Sequence, residues 1–270
     1  MSDGDKVFSG SIPELYDTYL VPMIFEAYAD DLSGRVAALE PEIVLETAAG
    51  SGVVTRALAA RLDPAIRYVV TDLNQPMLDH AAKRQGPDDR ITWQQADALK
   101  LPFDDDSFDA VVCQFGVMFF PDRVAGYTEA RRVLKPGGSF IFSVWDHIGV
   151  NEFADIVTQT AASIFPEDPP QFLARTPHGH HDVDTIRENL SDASFTDISI
   201  STLTQTSPAP TAWHAAIAYC EGTPLRNEID ARDANLLGLV VERATQAIAE
   251  RFGSGPVTAK IQAHIVTALS

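Results

Sequence analysis

Three carboxylates in this chain stand at intervals suited to holding a polar small molecule: Glu46, Asp72 and Asp97. Each falls at the carboxyl end of a stretch that reads as a strand, or just past it. In an open α/β sheet that edge is where ligands bind, at the switch point of strand order. Between the first of these strands and its helix lies Ala48-Ala-Gly50-Ser-Gly52. Such small residues permit a sharp turn and let backbone approach a ligand closely. Asp72 follows Gly52 by 20 residues, a spacing from which a carboxylate can accept hydrogen bonds from both hydroxyls of a ribose. Taken singly, a glycine-rich loop is often a plain tight turn, and an acid at a strand end is often a helix cap. Their order and spacing together point to a nucleoside ligand. A second group, His178, His180 and His181 with Asp182 following, has short ligand-like spacing. No further cluster completes a metal site, so a base, an acceptor contact and ordinary loop polarity stay open for it.

The elements that must position these groups are legible in the alternation of patterns. The segment IPELYDTYLVPMIFEAYADDL has helical spacing, interrupted at Pro22. Then EIVLETAAGSG reads as a buried strand running into a turn, followed by the helix VVTRALAARL. IRYVVTD, ITWQQAD, FDAVVCQF and SFIFSVW read as further strands. QPMLDHAAKR and DRVAGYTEARRVL are the helices among them, the latter closed by Lys-Pro-Gly-Gly. Strand and helix alternating with short connections predict a doubly wound α/β fold, a mainly parallel sheet with helices on both faces. After Trp145 the expected order is a helix, a proline-rich loop bearing the histidines, a helix capped by Asp182 and a strand over FTDISISTLTQT. Residues 211–252 read as two helices separated near Gly222-Thr-Pro224, and VTAKIQAHIVTAL as a last strand.

A chain of 270 residues with 45% hydrophobic content is an ordinary globular protein. A net charge of −18 opposes phosphate binding, which disfavours nucleic acid and anionic membrane as partners and leaves a small molecule as the default. The tight basic group Arg131, Arg132 and Lys135 sits where a helix ends, so dipole compensation accounts for it. No apolar run is long enough to cross a bilayer, and MSDGDKVFSG lacks the features of a signal peptide. Cys113 and Cys220 read as buried reduced thiols of a cytoplasmic protein.

With these segments in order, the chain resembles the class I S-adenosylmethionine-dependent methyltransferases, nearest to the branch holding ubiquinone and menaquinone biosynthesis C-methyltransferases and small-molecule methyltransferases. VLETAAGSGVVTRAL is similar to their first motif and TDLNQPML to their second. QADALKLPFDDDSFDAVVCQFGVMFFPD and EARRVLKPGGSFIFSVW are similar to the later ones. The resemblance implies a seven-stranded Rossmann-like sheet with S-adenosylmethionine as methyl donor. It implies one methyltransferase domain over 1–270: an N-terminal helical cap (1–40), a cofactor-binding core (41–146), and acceptor-pocket elements with a helical insertion and the last strands (147–270). By the same resemblance Glu46, Ala48, Gly50 and Gly52 would hold the methionine part, and Asp72 the ribose. Leu73 and Met77 would pack beside the sugar and adenine. Asp97 would accept from the adenine amino group while the Ala98 amide donates to the ring. Gln114 and Phe115 would line the methionine end and face the acceptor. The family usually has glycine where Ala48 stands, and alanine there is costly if its φ is positive. A nicotinamide cofactor is excluded because Glu46 would repel a pyrophosphate but suits an ammonium.

Methyl transfer is an in-line displacement, so the protein must mainly align the acceptor and exclude water. A base is needed only if the acceptor must lose a proton. No residue is forced into that role. Candidates are His178, His181, Tyr16 and Tyr19, the tyrosines serving either to cover the site or to pack a helix. Trp145 is pocket wall or core. The expected activity is methylation of a small molecule, with non-catalytic holding of S-adenosylmethionine as the rival reading. Oligomerisation stays open.

Overall fold

The computed structural model describes residues 15–270, so residues 1–14 of the expected N-terminal cap lie outside the described region. The predicted alternation yields α1 (Glu26–Ala37), β1 (Ile43–Glu46), α2 (Val53–Ala59), β2 (Arg67–Asp72), α3 (Gln75–Gln85), β3 (Ile91–Gln95), β4 (Phe108–Gln114), α4 (Arg123–Val133) and β5 (Leu134–Trp145). β1 pairs with β2 and β4, β2 with β3, and β4 with β5, all in parallel. Every residue of β1 is buried, as a central strand covered on both faces requires. Beyond β5 follow α5 (Glu152–Ile164), α6 (Phe172–Arg175), α7 (Val183–Asp192), β6 (Thr196–Ala209), α8 (Ala212–Glu221), α9 (Leu225–Asp233), α10 (Leu237–Phe252) and β7 (Val257–Leu269). The seven strands lie in the order β3-β2-β1-β4-β5-β7-β6, so the last strand in sequence is inserted between β5 and β6. Side-chain bonds Thr202–His264 and Thr204–Gln262 climb one strand while descending the other, which makes β7 antiparallel to β6. Backbone bonds Asp146–Gln262 and Ser270–Gly138 give the same sense against β5. The mainly parallel, doubly wound expectation holds.

The chain divides into two compact units. The first comprises Glu26–Val144, His181–Thr202 and His264–Ser270. Its core holds β1 and β4 together with Tyr127, Phe140 and Phe142, all essentially inaccessible to solvent. Asp122 caps α4 by accepting from the Ala125 N–H at 2.9 Å, and Asp182 caps α7 by accepting from Thr185 at 2.7 Å. The second unit comprises residues 15–25, Trp145–His180 and Leu203–Ala263. There α5, α8 and α10 pack mutually.

Three local expectations are corrected. Pro22 does not interrupt the first helix but lies within a π-helical stretch, Tyr16–Phe25. The wider turn of that geometry accommodates a ring that would strike the carbonyl four residues back in an α-helix. Residues 211–252 form three helices, not two, because a 3₁₀ turn at Ala234–Leu236 separates α9 from α10. The Asp233 carboxylate, accepting from the Asn235 N–H at 2.9 Å, offers the backbone an alternative to continuing the helix. Lys135-Pro-Gly-Gly belongs to β5, with a register shift against β4 between Phe108 and Ala110. Arg131 and Arg132 lie in the last turn of α4, where dipole compensation expects them, and the group also makes specific bonds: Arg131 to the Ser194 carbonyl, Arg132 to Glu129 and Asp105, and Lys135 to Asp109.

Candidate functional site

The three acids lie in the first unit, at the carboxyl ends of β1 and β2 and just past β3. The loop after β1 is held from several sides: Thr47 N–H donates to the Val112 carbonyl at 2.9 Å and Ala49 N–H to that of Thr71 at 3.0 Å. The Thr71 hydroxyl returns a bond to the Glu46 carbonyl at 2.8 Å. Gly50 and Gly52 both adopt positive φ, 57° and 76°. At Gly52 a Cβ would also lie 2.9 Å from that of Ala81 in α3, so glycine is required there twice over.

Asp72 is 7% exposed, and each of its carboxylate oxygens accepts one backbone N–H: Oδ2 from Gly50 and Oδ1 from Asn74, both at 2.8 Å. It thereby ties the end of β2 to the glycine loop. Burial pushes its carboxyl above the usual range, opposed by the N–H groups of Asn74 and Gly50. A carboxylate oxygen has two acceptor sites, so each retains capacity for a hydroxyl donor. Met77 lies beside the loop, its terminal carbon 3.9 Å from where a Gly50 Cβ would stand, and Leu73 is 47% exposed next to it. Past β3, the Ala96 N–H donates to the Asp72 carbonyl at 3.0 Å. Asp97 is exposed and its Oδ1 accepts from the Leu99 N–H at 2.9 Å, a local turn bond, with Ala98 between them partly covered.

Glu46 is 2% exposed. Its Oε2 accepts from the Thr55 hydroxyl at 2.7 Å and from the Tyr68 hydroxyl. Burial pushes its carboxyl up to about 7, against the two hydroxyl bonds and the Arg56 charge, with Asp72 adding to the rise. The acid in front of the loop is therefore poised between neutral and charged forms near neutral pH. Arg56 donates to the Ser51 carbonyl at 2.8 Å. The Ser51 hydroxyl is buried with no hydrogen-bond partner among the described residues. An orphaned buried polar atom in a turn of positive-φ glycines fits a polar ligand completing the loop.

At the end of β4, Gln114 is partly covered and Phe115 is buried at φ 51°, edge-on to Tyr28 at 5.4 Å. The Phe115 N–H donates to both the carbonyl and hydroxyl of Ser143. Ala48 has φ 53°, the costly branch of the two weighed for it.

In the second unit, a row of rings runs Tyr16–Phe25–Trp145–His178, with centroids 5.3, 6.0 and 6.0 Å apart. His178 and His180 are 5% and 3% exposed, so neither is an ordinary polar residue of an open loop. His178 Nδ1 lies 2.8 Å from the Asp146 carbonyl. A carbonyl only accepts, so Nδ1 carries a proton in this contact. Tyr19 sits edge-on to Trp213 and His214 instead. His181, in the first unit, precedes the capping Asp182, whose carboxylate serves the helix.

A family model described as a methyltransferase domain matches residues 45–142. The ubiquinone/menaquinone biosynthesis C-methyltransferase UbiE of Chromobacterium violaceum is 34% identical over 172 residues, 60% of this chain and 70% of that one. The chain belongs to the class I S-adenosylmethionine-dependent methyltransferase family. S-adenosylmethionine is its methyl donor and a small molecule its acceptor. The demethylmenaquinone methyltransferase of Clavibacter sepedonicus is 42% identical over 106 residues, covering 39% of this chain and 42% of that one, less than half its length. The fold is shared with Haemonchus contortus phosphoethanolamine N-methyltransferase 2, solved with phosphomonomethylethanolamine and S-adenosylhomocysteine. That likeness has a TM-score of 0.61 at 16% identity and covers 98% of this chain and 59% of that one.

Several residues that shape the site escaped the sequence reading. Thr55 and Tyr68 bond the Glu46 carboxylate, and Gln95 donates to the Leu73 carbonyl at 2.8 Å. Strand register was the available signal: Glu46 pairs with Val70, which puts Tyr68 two residues away on the neighbouring strand.

Proposed function

We propose that this protein methylates an aromatic alcohol of the quinol class and that it works in the cytoplasm. The observation that carries this is the row Tyr16–Phe25–Trp145–His178, in which flat apolar rings end on a histidine whose Nδ1 donates to a carbonyl. The likeness to the Clavibacter sepedonicus demethylmenaquinone methyltransferase supports the same class. No helix among the described residues is long and apolar enough to cross a membrane.

S-adenosylmethionine supplies an electrophilic methyl on a sulfonium. In this reading Asp72 accepts from the ribose hydroxyls, Leu73 and Met77 flank the sugar and adenine, and Asp97 with the Ala98 amide reads the adenine edge. Glu46 and the loop Ala48, Gly50 and Gly52 hold the methionine end, with Gln114 and Phe115 beside it. His178 Nε2 takes the acceptor's hydroxyl proton, raising the electron density of the ring or oxygen that attacks. Tyr16 covers the acceptor; Tyr19 and His181 are secondary candidates.

The test incubates the protein with S-adenosylmethionine and a short-chain demethylmenaquinol under reducing conditions, following S-adenosylhomocysteine formation. Turnover is expected, and His178→Asn should lower it about a hundredfold, the range of a positioned general base, while sparing S-adenosylhomocysteine binding. Tight binding of that product with no turnover on any quinol would overturn the acceptor assignment.

A further inference from the structure

Two neighbouring positions carry each other's expected residue. Ala48 stands at φ 53°, in the left-handed region that favours glycine. Gly116, after β4, has φ −103° and ψ −38°, a right-handed conformation open to any residue. What demands glycine at 116 is space: a Cβ there would lie 2.6 Å from the Ala48 Cβ and 2.6 Å from the Cys113 Sγ. Phe115, next to it, is itself held at φ 51°. Exchanging the two residue types would suit the backbone better at 48 and no worse at 116. Packing against Cys113 and Ala48 accounts for glycine at 116, whereas alanine at 48 is not accounted for by its own backbone.

We propose that the Ala48 methyl, seated in the notch over Gly116, is a positioning contact that braces the turn Gln114–Gly116 against the glycine loop and holds that loop in its ligand-accepting shape. The inference rests on the reading that this loop receives the methyl donor. Two turns that arrive from different strands, β1 and β4, meet here at the Ala48 methyl and at the Cys113 thiol, which bonds Thr47 and Gly116, so the methyl helps to set their separation. Backbone strain retained at both turns is the expected mark of a surrounding structure that overrides local preference at a functional site. Ala48 acts through the loop, not on the reacting atoms.

The experiment titrates S-adenosylhomocysteine calorimetrically into the wild type, Ala48→Gly, and two variants in a Cys113→Ala background that opens the notch's other wall: Gly116→Ala and Ala48→Gly/Gly116→Ala. Ligand-free melting curves accompany each. Ala48→Gly is expected to raise Tm, because strain is relieved, yet to weaken binding about fivefold, equivalent to about 1 kcal/mol. A residue with a merely structural role would move both readouts the same way. Gly116→Ala should weaken binding more, and the double exchange, whose new methyl at position 116 refills the notch from the opposite side, should regain most of it. Wild-type affinity in Ala48→Gly, or no recovery in the double exchange, would overturn the proposal. If Gly116→Ala does not fold, Ala48→Gly decides alone. A wild type that binds no S-adenosylhomocysteine would sink the donor-site reading instead.

Discussion

Replacing Glu46 by glutamine should stabilise the protein, and most at the alkaline side of neutrality. The Glu46 carboxyl is buried with Thr55 and Tyr68 hydroxyls converging on Oε2, and its proton affinity is pushed from an ordinary 4.5 to about 7. The folded state therefore binds this proton more tightly than the unfolded chain does. Stability falls as pH rises from the unfolded value through the folded one, and the full penalty is in force above about 7. At 1.36 kcal/mol for each tenfold change in proton affinity, the gap amounts to about 3 kcal/mol. A glutamine carbonyl can accept from the same two hydroxyls and never ionises. Urea unfolding of both proteins at pH 5 and pH 8 isolates the effect, since the titration of the other acids cancels in the difference. The variant should exceed the wild type by no more than about 1 kcal/mol at pH 5 and by about 3 kcal/mol at pH 8. An equal difference at the two pH values would refute the reasoning, because it would mean that Glu46 ionises in the folded protein as readily as in the unfolded one.

Asp72→Ala should keep the fold but weaken S-adenosylhomocysteine binding about a hundredfold, the loss of two hydrogen bonds to a charged acceptor. Calorimetry with a circular dichroism control checks it, and normal affinity would place the ribose on another residue. Both cysteines are buried, with thiols pushed up to about 12, chiefly by burial. A thiol-disulfide reagent at pH 8 should find neither in the native protein and both in urea; rapid native labelling of either would contradict the packing around it.

The parallel core was legible because buried strands and crossover helices leave patterns of fixed period, and acids at strand ends need only correct ends to be found. Glu46, Asp72 and Asp97 were located that way. What they bond was not legible: the partners of Glu46 come from a helix and a neighbouring strand, a matter of register and side-chain reach. Ala48 shows a similar limit, since its cost depended on the sign of one dihedral that composition does not encode. The burial of His178 and His180 was masked by a proline-rich setting that looks exposed. Pro22 misled because a proline signals a break in α geometry alone, and Asp233 because its side chain competes with a helix that the residue pattern would continue.

The insertion of β7 between β5 and β6 has a consequence in time. A ribosome delivers β5 more than a hundred residues before the strand that must lie against its open edge, and β6 has no sheet to join until that strand arrives. A nascent chain therefore carries an uncompleted sheet edge through most of its later synthesis, the kind of edge that pairs with other chains. Deleting Val257–Leu269 would remove β7 and leave β6 without a sheet to join, so the product should aggregate rather than persist as a shortened enzyme.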